Sequence, residues 1–125
     1  MVIAMKTFIN LSSHSSEKWS VLQRQTAERY GAVIDVPFPM IAPDAGSAEI
    51  DHLVSEYLEK LSGYDIGAVM LQGEFVFTYR LATKLKTQGI TVLSACSERR
   101  VAEQTDAEGK TRRVSEFEFV QFREF

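Results

Sequence analysis

Two short stretches of this chain hold the residue types that could do chemistry. One is Asn10-Leu11-Ser12-Ser13-His14 and the other is Gln72-Gly73-Glu74. Each closes an apolar run and stands just ahead of a helical pattern. Amides, hydroxyls and helix N-terminal N–H groups are donors suited to phosphate and ribose oxygens. His14 is the best general acid or base in either stretch, because an imidazole titrates near neutrality. Glu74 is the second candidate for moving a proton, and Gly73 at a strand end suits close approach of the backbone to a ligand. Thr78 stands one turn beyond Glu74 on the same helical face. Ser94, Cys96 and Ser97 follow a later apolar run and lead into Glu98, Arg99 and Arg100. A guanidinium there can clamp a phosphate; alternation leaves open whether Arg99 or Arg100 does so.

Each candidate has a structural competitor. Asn10, Ser12 and Ser13 are residues that satisfy loop and helix-end backbone groups in many proteins. His14 competes with an exposed capping role, and Glu74 with a carboxylate that answers the dipole of the following helix. His52, inside a helical pattern beside Asp51, reads as a solvated surface residue. Trp19 is either core or a rim indole able to stack on a base. Cys96 reads as a structural cysteine, since a phosphatase-type loop needs an arginine where Ala102 stands. No Cys/His set has zinc spacing and no carboxylate cluster suggests magnesium. The glycines form neither a dinucleotide fingerprint nor a P-loop, so a site without metal or cofactor is expected.

The elements that must position these groups alternate. Lys6–Leu11 reads as strand one, and a helix starting at Ser15 or Ser16 runs through Trp19, Leu22, Thr26, Ala27 and Tyr30 to Gly31. Ala32–Val36 is strand two, apolar apart from Asp35, and Pro37-Phe38-Pro39 ends it. Ser47 reads as the cap of a second helix whose stripe is Ile50, Leu53, Val54, Tyr57, Leu58 and Leu61, closed by Gly63. Ile66–Leu71, a helix from Phe75 to Gln88, and Ile90–Ala95 follow. Alternation of this kind predicts an α/β fold: a parallel sheet of order 2-1-3-4 with helices on both faces. Arg100–Thr105 and Thr111–Phe122, joined by Asp106-Ala107-Glu108-Gly109-Lys110, predict a C-terminal antiparallel hairpin. Glu116-Phe117-Glu118-Phe119 gives that hairpin one wet and one packed face.

In such a sheet, ligands bind at the strand carboxyl ends where strand order reverses, here between strands one and three. Asn10, Ser12, Ser13 and His14 then face Gln72, Gly73 and Glu74 across one crevice, with Ser94 and Ser97 next door. The chain of 125 residues is expected to be one domain over residues 1–125. Its single cysteine excludes an internal disulfide and fits a cytoplasmic setting. The first residues lack a signal-peptide layout, Met5 offers an alternative start, and no apolar run approaches the roughly 18 residues of a membrane span. A net charge of −3 argues against a broad grip on long nucleic acid but allows a small anion held by local donors.

Asn10-Leu11-Ser12-Ser13-His14, Trp19, Gln72-Gly73-Glu74 and the Phe-Arg-Glu-Phe terminus at Phe122 to Phe125 look like small proteins of type III CRISPR neighbourhoods. These resemble the CARF-like ring nucleases, compact Rossmann-like antiviral proteins that bind cyclic oligoadenylates, usually as homodimers. The resemblance implies metal-independent cleavage, in which a ribose 2′-hydroxyl attacks the adjacent phosphorus in line, expels a 5′-hydroxyl and leaves a cyclic phosphate. It gives Arg99 the phosphate charge, the amides after Ser13 the phosphate oxygens, and His14 or Glu74 the proton. Asn10, Ser12, Ser13, Trp19, Gln72, Gly73, Thr78, Ser94 and Ser97 would contact the ligand. Two other functions compete with the ring nuclease. One is a nucleotide-sensing module that binds without cleaving. The other is an assembly domain using the Phe117, Phe119 and Phe122 hairpin.

Overall fold

A computed structural model describes residues 5–125. Strands β1 (Thr7–Ser12), β2 (Ala32–Pro37), β3 (Ile66–Gln72), β4 (Val92–Thr105) and β5 (Thr111–Glu124) form one sheet of order 2-1-3-4-5. The first four run parallel and β5 returns antiparallel to β4. The predicted α/β class, the 2-1-3-4 order and the C-terminal hairpin are all present. Helices α1 (Val21–Glu28), α2 (Ser47–Leu61) and α3 (Phe75–Thr87) make the crossovers.

Successive strand side chains point to opposite faces, and this divides the core in two. Ile9, Leu11, Val69, Leu71 and Val92 pack against α2 and α3 through Val54, Leu61, Phe77, Leu81 and Leu85. Phe8, Ala68, Met70 and Leu93 face α1 and gather Ala27, Trp19 and Phe122. Asn10 and Ser12 share the α1 face with Phe8, so that face turns polar at the carboxyl end of β1. Asn10 is 1% and Ser12 7% exposed, so their polar atoms must find partners inside.

Four boundaries differ from the sequence reading. The first helix is broken: a 3-10 turn covers Ser16–Lys18, Trp19 and Ser20 are extended, and α1 starts only at Val21. The indole of Trp19 is drawn edge-on to Phe8 at 5.9 Å and lies 6.4 Å from Phe122, which pulls the chain out of helical register. Ser20 then restarts the helix by accepting from the Gln23 amide at 3.2 Å. α1 also ends at Glu28, before Gly31, whose place is set by a close crossing: a Cβ there would lie 2.3 Å from the Lys6 carbonyl oxygen. Ser47 is the first residue of α2 and Gly46 precedes it as a cap with no side chain to offer.

The fourth strand does not stop at Ala95 but runs on to Thr105 as one arm of the hairpin. The register slips between Cys96 and Ser97, where Gln121 and Phe119 are the successive partners and Val120 is left over. That bulge puts Phe119 and Phe122 on one face, with ring centroids 4.8 Å apart. Beyond it the ribbon has no packed face: Phe117 is 75% exposed, so the expected wet-and-dry alternation holds only for Phe119.

Candidate functional site

β4 pairs with β3 only through Val92 and Leu93 and then leaves it. The side-chain carbonyl of Gln72 takes the next position, accepting from the Ala95 amide at 3.1 Å. The splayed strands open a cleft of about 520 Å³ at the carboxyl edge of the sheet. Ser12, Ser13, His14 and Ser15 form one wall, Gln72, Gly73, Ala95 and Ser97 the other, and Lys18, Trp19, Gln23, Met70 and Phe117 complete it. The first and second polar stretches thus meet, as the sheet order requires. A hollow of about 510 Å³ at the opposite end of the strands holds Lys6, Glu28, Arg29 and Tyr30. Strand carboxyl ends converge only on the first, and that is where α/β folds bind ligands.

The loop that carries His14 is built on Asp35. Asn10 donates through Nδ2 to Asp35 Oδ1 at 3.0 Å and to the His14 carbonyl at 2.8 Å. Ser12 donates to Asn10 Oδ1 at 2.7 Å. The Ser16 amide at 3.1 Å and the Ser15 hydroxyl at 3.3 Å donate to Asp35 Oδ2. Arg24 reaches over from α1 to the Ser16 carbonyl at 3.0 Å. Burial works to raise the Asp35 carboxyl, but the donors from Asn10, Ser16 and Ser15 outweigh it and hold it below the usual aspartate value. Asn10 and Ser12 are therefore scaffold beneath the cleft, with only Ser12 touching its wall. Asp35 was visible in the sequence as the one charge in an apolar strand.

The amides expected to hold phosphate oxygens are already engaged. The His14 N–H donates to Ser12 Oγ at 3.3 Å, Ser16 to Asp35, and Glu17 to Ser15 Oγ at 3.3 Å. Lys18 on the 3-10 turn supplies a cation to the cleft, a residue the sequence reading passed over. Gln23, Met70 and Ala95 were not expected at the site, and Phe117 was expected only on the hairpin's assembly face; all four line the cleft.

Several expected site residues lie elsewhere. Both Glu74 oxygens cap α3, accepting from Val76 at 3.0 Å and Phe77 at 2.7 Å, and the residue borders a different groove with Ile41 and Arg80. Thr78 sits on α3 with its Oγ1 buried and without a hydrogen-bond partner, away from the cleft. Ser94 points to the α3 side of β4, opposite Leu93 and Ala95. Gly73 does border the cleft, yet what demands glycine is Phe38: a Cβ would lie 2.3 Å from that ring. Arg99 pairs with Phe117, so it shares the cleft-side face of the ribbon. Its guanidinium points outward along the ribbon to Ser115 Oγ, at 2.9 and 3.3 Å. Arg100 is the solvated one, bound to Glu118 at 2.6 Å and Glu98 at 3.6 Å on the other face. His52 pairs with Glu56 on the surface and Cys96 is half-buried.

Among the described residues no group of three or more His, Cys, Asp or Glu side chains could hold a metal ion. None of their helices is long and apolar enough to cross a membrane. A protein-family model described as "Uncharacterized protein MJ1673 family" matches residues 6–123. The chain belongs to this family. No curated protein and no solved structure matches it. The match of this MJ1673 family member spans both walls of the cleft and the hairpin.

Proposed function

We propose that the protein binds a cyclic oligoadenylate in the cleft at the carboxyl ends of β1, β3 and β4. One observation carries the reading. Lys18, His14, four serine hydroxyls and the Gln72 amide line a single cleft at the strand carboxyl ends, beside Trp19 and Phe117. Cation and hydroxyls suit phosphate and ribose, and the two aromatic side chains suit a base. Its volume lies within the usual range for a small-ligand site, which is roughly 300–1,000 Å³. A ring of several nucleotides overhangs such a cleft, and a second copy of the chain facing the first across a two-fold axis encloses it. The likeness of the Asn10–His14 loop to CARF-like ring nucleases supports the choice of a ring ligand, and with it a place in type III CRISPR defence.

Cleavage is the second reading, favoured by the His14 imidazole at the cleft wall, a group able to take and return a proton. In that case the ribose 2′-hydroxyl attacks phosphorus as His14 takes its proton, Lys18 neutralises the phosphorane, and the bond to the 5′-oxygen breaks, that oxygen leaving as a hydroxyl with the proton His14 returns and a 2′,3′-cyclic phosphate remaining. Glu74 and Arg99 have other partners and take no part. The decisive experiment incubates the protein with cyclic tri-, tetra- and hexa-adenylate in excess chelator and resolves the products. Retention of an intact ring supports binding alone. Linear products that vanish in His14→Ala support cleavage. If no ring is bound or cut, the proposal fails and an assembly role for the ribbon stands, tested by loss of self-association in Phe117→Asp.

A further inference from the structure

Gln72 is held by the backbone in a way that gives its amide a direction. Its Oε1 is committed to the Ala95 amide at 3.1 Å, so its NH2 is the end left for the cleft. No acceptor among the described residues takes those N–H groups. An amide pinned in this way donates along a fixed line and loses little entropy when a ligand meets it. Gln23 stands above Met70, its Nε2 3.9 Å from the thioether sulfur. Met70 lies two residues before Gln72 on the same face of β3. With the Gln23 nitrogen turned onto sulfur, its Oε1 is the end left as an acceptor, and Gln23 and Gln72 line the same cleft. Trp19 and Phe117 line that cleft as well.

We infer that Gln72 reads the edge of a stacked base, donating to a ring nitrogen, while Gln23 Oε1 accepts from the neighbouring exocyclic amino group. The pair selects a 6-aminopurine over a 6-oxopurine. Adenine presents N1 as acceptor and N6–H as donor; hypoxanthine and guanine present the reverse at both positions. The 6-oxo ring sets donor against donor and acceptor against acceptor, which desolvates four groups and pairs none. This inference rests on the cleft receiving a nucleotide.

The test titrates the protein calorimetrically with cyclic tetra-adenylate and with the same ring carrying hypoxanthine. The wild type prefers adenine by about tenfold or more. Gln72→Glu keeps an acceptor for Ala95 and turns the cleft-facing donor into an acceptor. It weakens the adenine ring and reverses the preference, since a carboxylate accepts from hypoxanthine N1–H. A ring of 1-deaza-adenine needs no variant to fold, and the wild type binds it about tenfold more weakly than the adenine ring. A wild type that binds neither ring sinks the nucleotide reading and this inference with it. If the wild type binds the adenine ring, the 1-deaza ring binds equally well and Gln72→Glu keeps the same base preference, the role of Gln72 alone is overturned.

Discussion

Replacing Asp35 by alanine tests whether the His14 loop is held from beneath. The change removes the acceptor for Asn10 Nδ2 at 3.0 Å, the Ser16 amide at 3.1 Å and the Ser15 hydroxyl at 3.3 Å. Asn10 is 1% exposed, so water entering beside it reaches its stranded N–H poorly, and an unsatisfied buried donor costs about 1–3 kcal/mol. The Ser16 amide adds less, because the departing carboxylate was itself exposed and water follows it in. The sum is about 2–3 kcal/mol. For a domain of this size that corresponds to a fall in melting temperature of roughly 6–15 °C. Circular-dichroism melts of wild type and Asp35→Ala at neutral pH measure it. Acid adds a second signature. The folded carboxyl titrates below its unfolded value, so its contribution is full above the ordinary aspartate value and is lost as pH falls through the depressed one. Solvent screening keeps that acid component smaller than the mutational cost. Wild type shows it and the variant does not. A melting shift under about 2 °C, or identical acid sensitivity in both proteins, refutes the idea that Asp35 organises the loop.

Other expectations follow from the same geometry. Gly73→Ala drives a methyl into Phe38, which packs edge-on to Phe77 at 5.2 Å, and costs about 1–3 kcal/mol in a urea melt. Glu74→Ala loses the cap of α3 and about 0.5–2 kcal/mol of stability, while ligand affinity at the cleft stays as in the wild type by titration. Lys18→Ala leaves the melt unchanged, since the side chain is exposed, but weakens ring binding and flattens its salt dependence. Ser115→Ala frees the Arg99 guanidinium without lowering affinity for the ring; a loss of affinity shows that the Arg99–Ser115 contact prepares the site.

The order of elements was legible because its signals are local. The stripe of Ile50, Val54, Tyr57 and Leu61 buries one face of α2 as its spacing demands. The parallel order followed from short links and crossover handedness. The break at Trp19 was hidden, because the indole sits at helical spacing and leaves the helix only for rings on β1 and β5. Glu74 and His14 read alike in sequence, as polar groups ending apolar runs. One became a cap because the α3 amides lay within reach of its carboxylate, whereas the His14 imidazole stayed free at the cleft wall.

By itself the sequence determined the alternating scaffold and the two polar stretches that close β1 and β3, since hydrophobic period and helix-breaking residues act over a few positions. Only the tertiary structure decided which polar groups are scaffold and which line the cleft. That choice turns on where β4 parts from β3 and on which donors Asp35 claims, both settled by contacts between residues far apart in the chain.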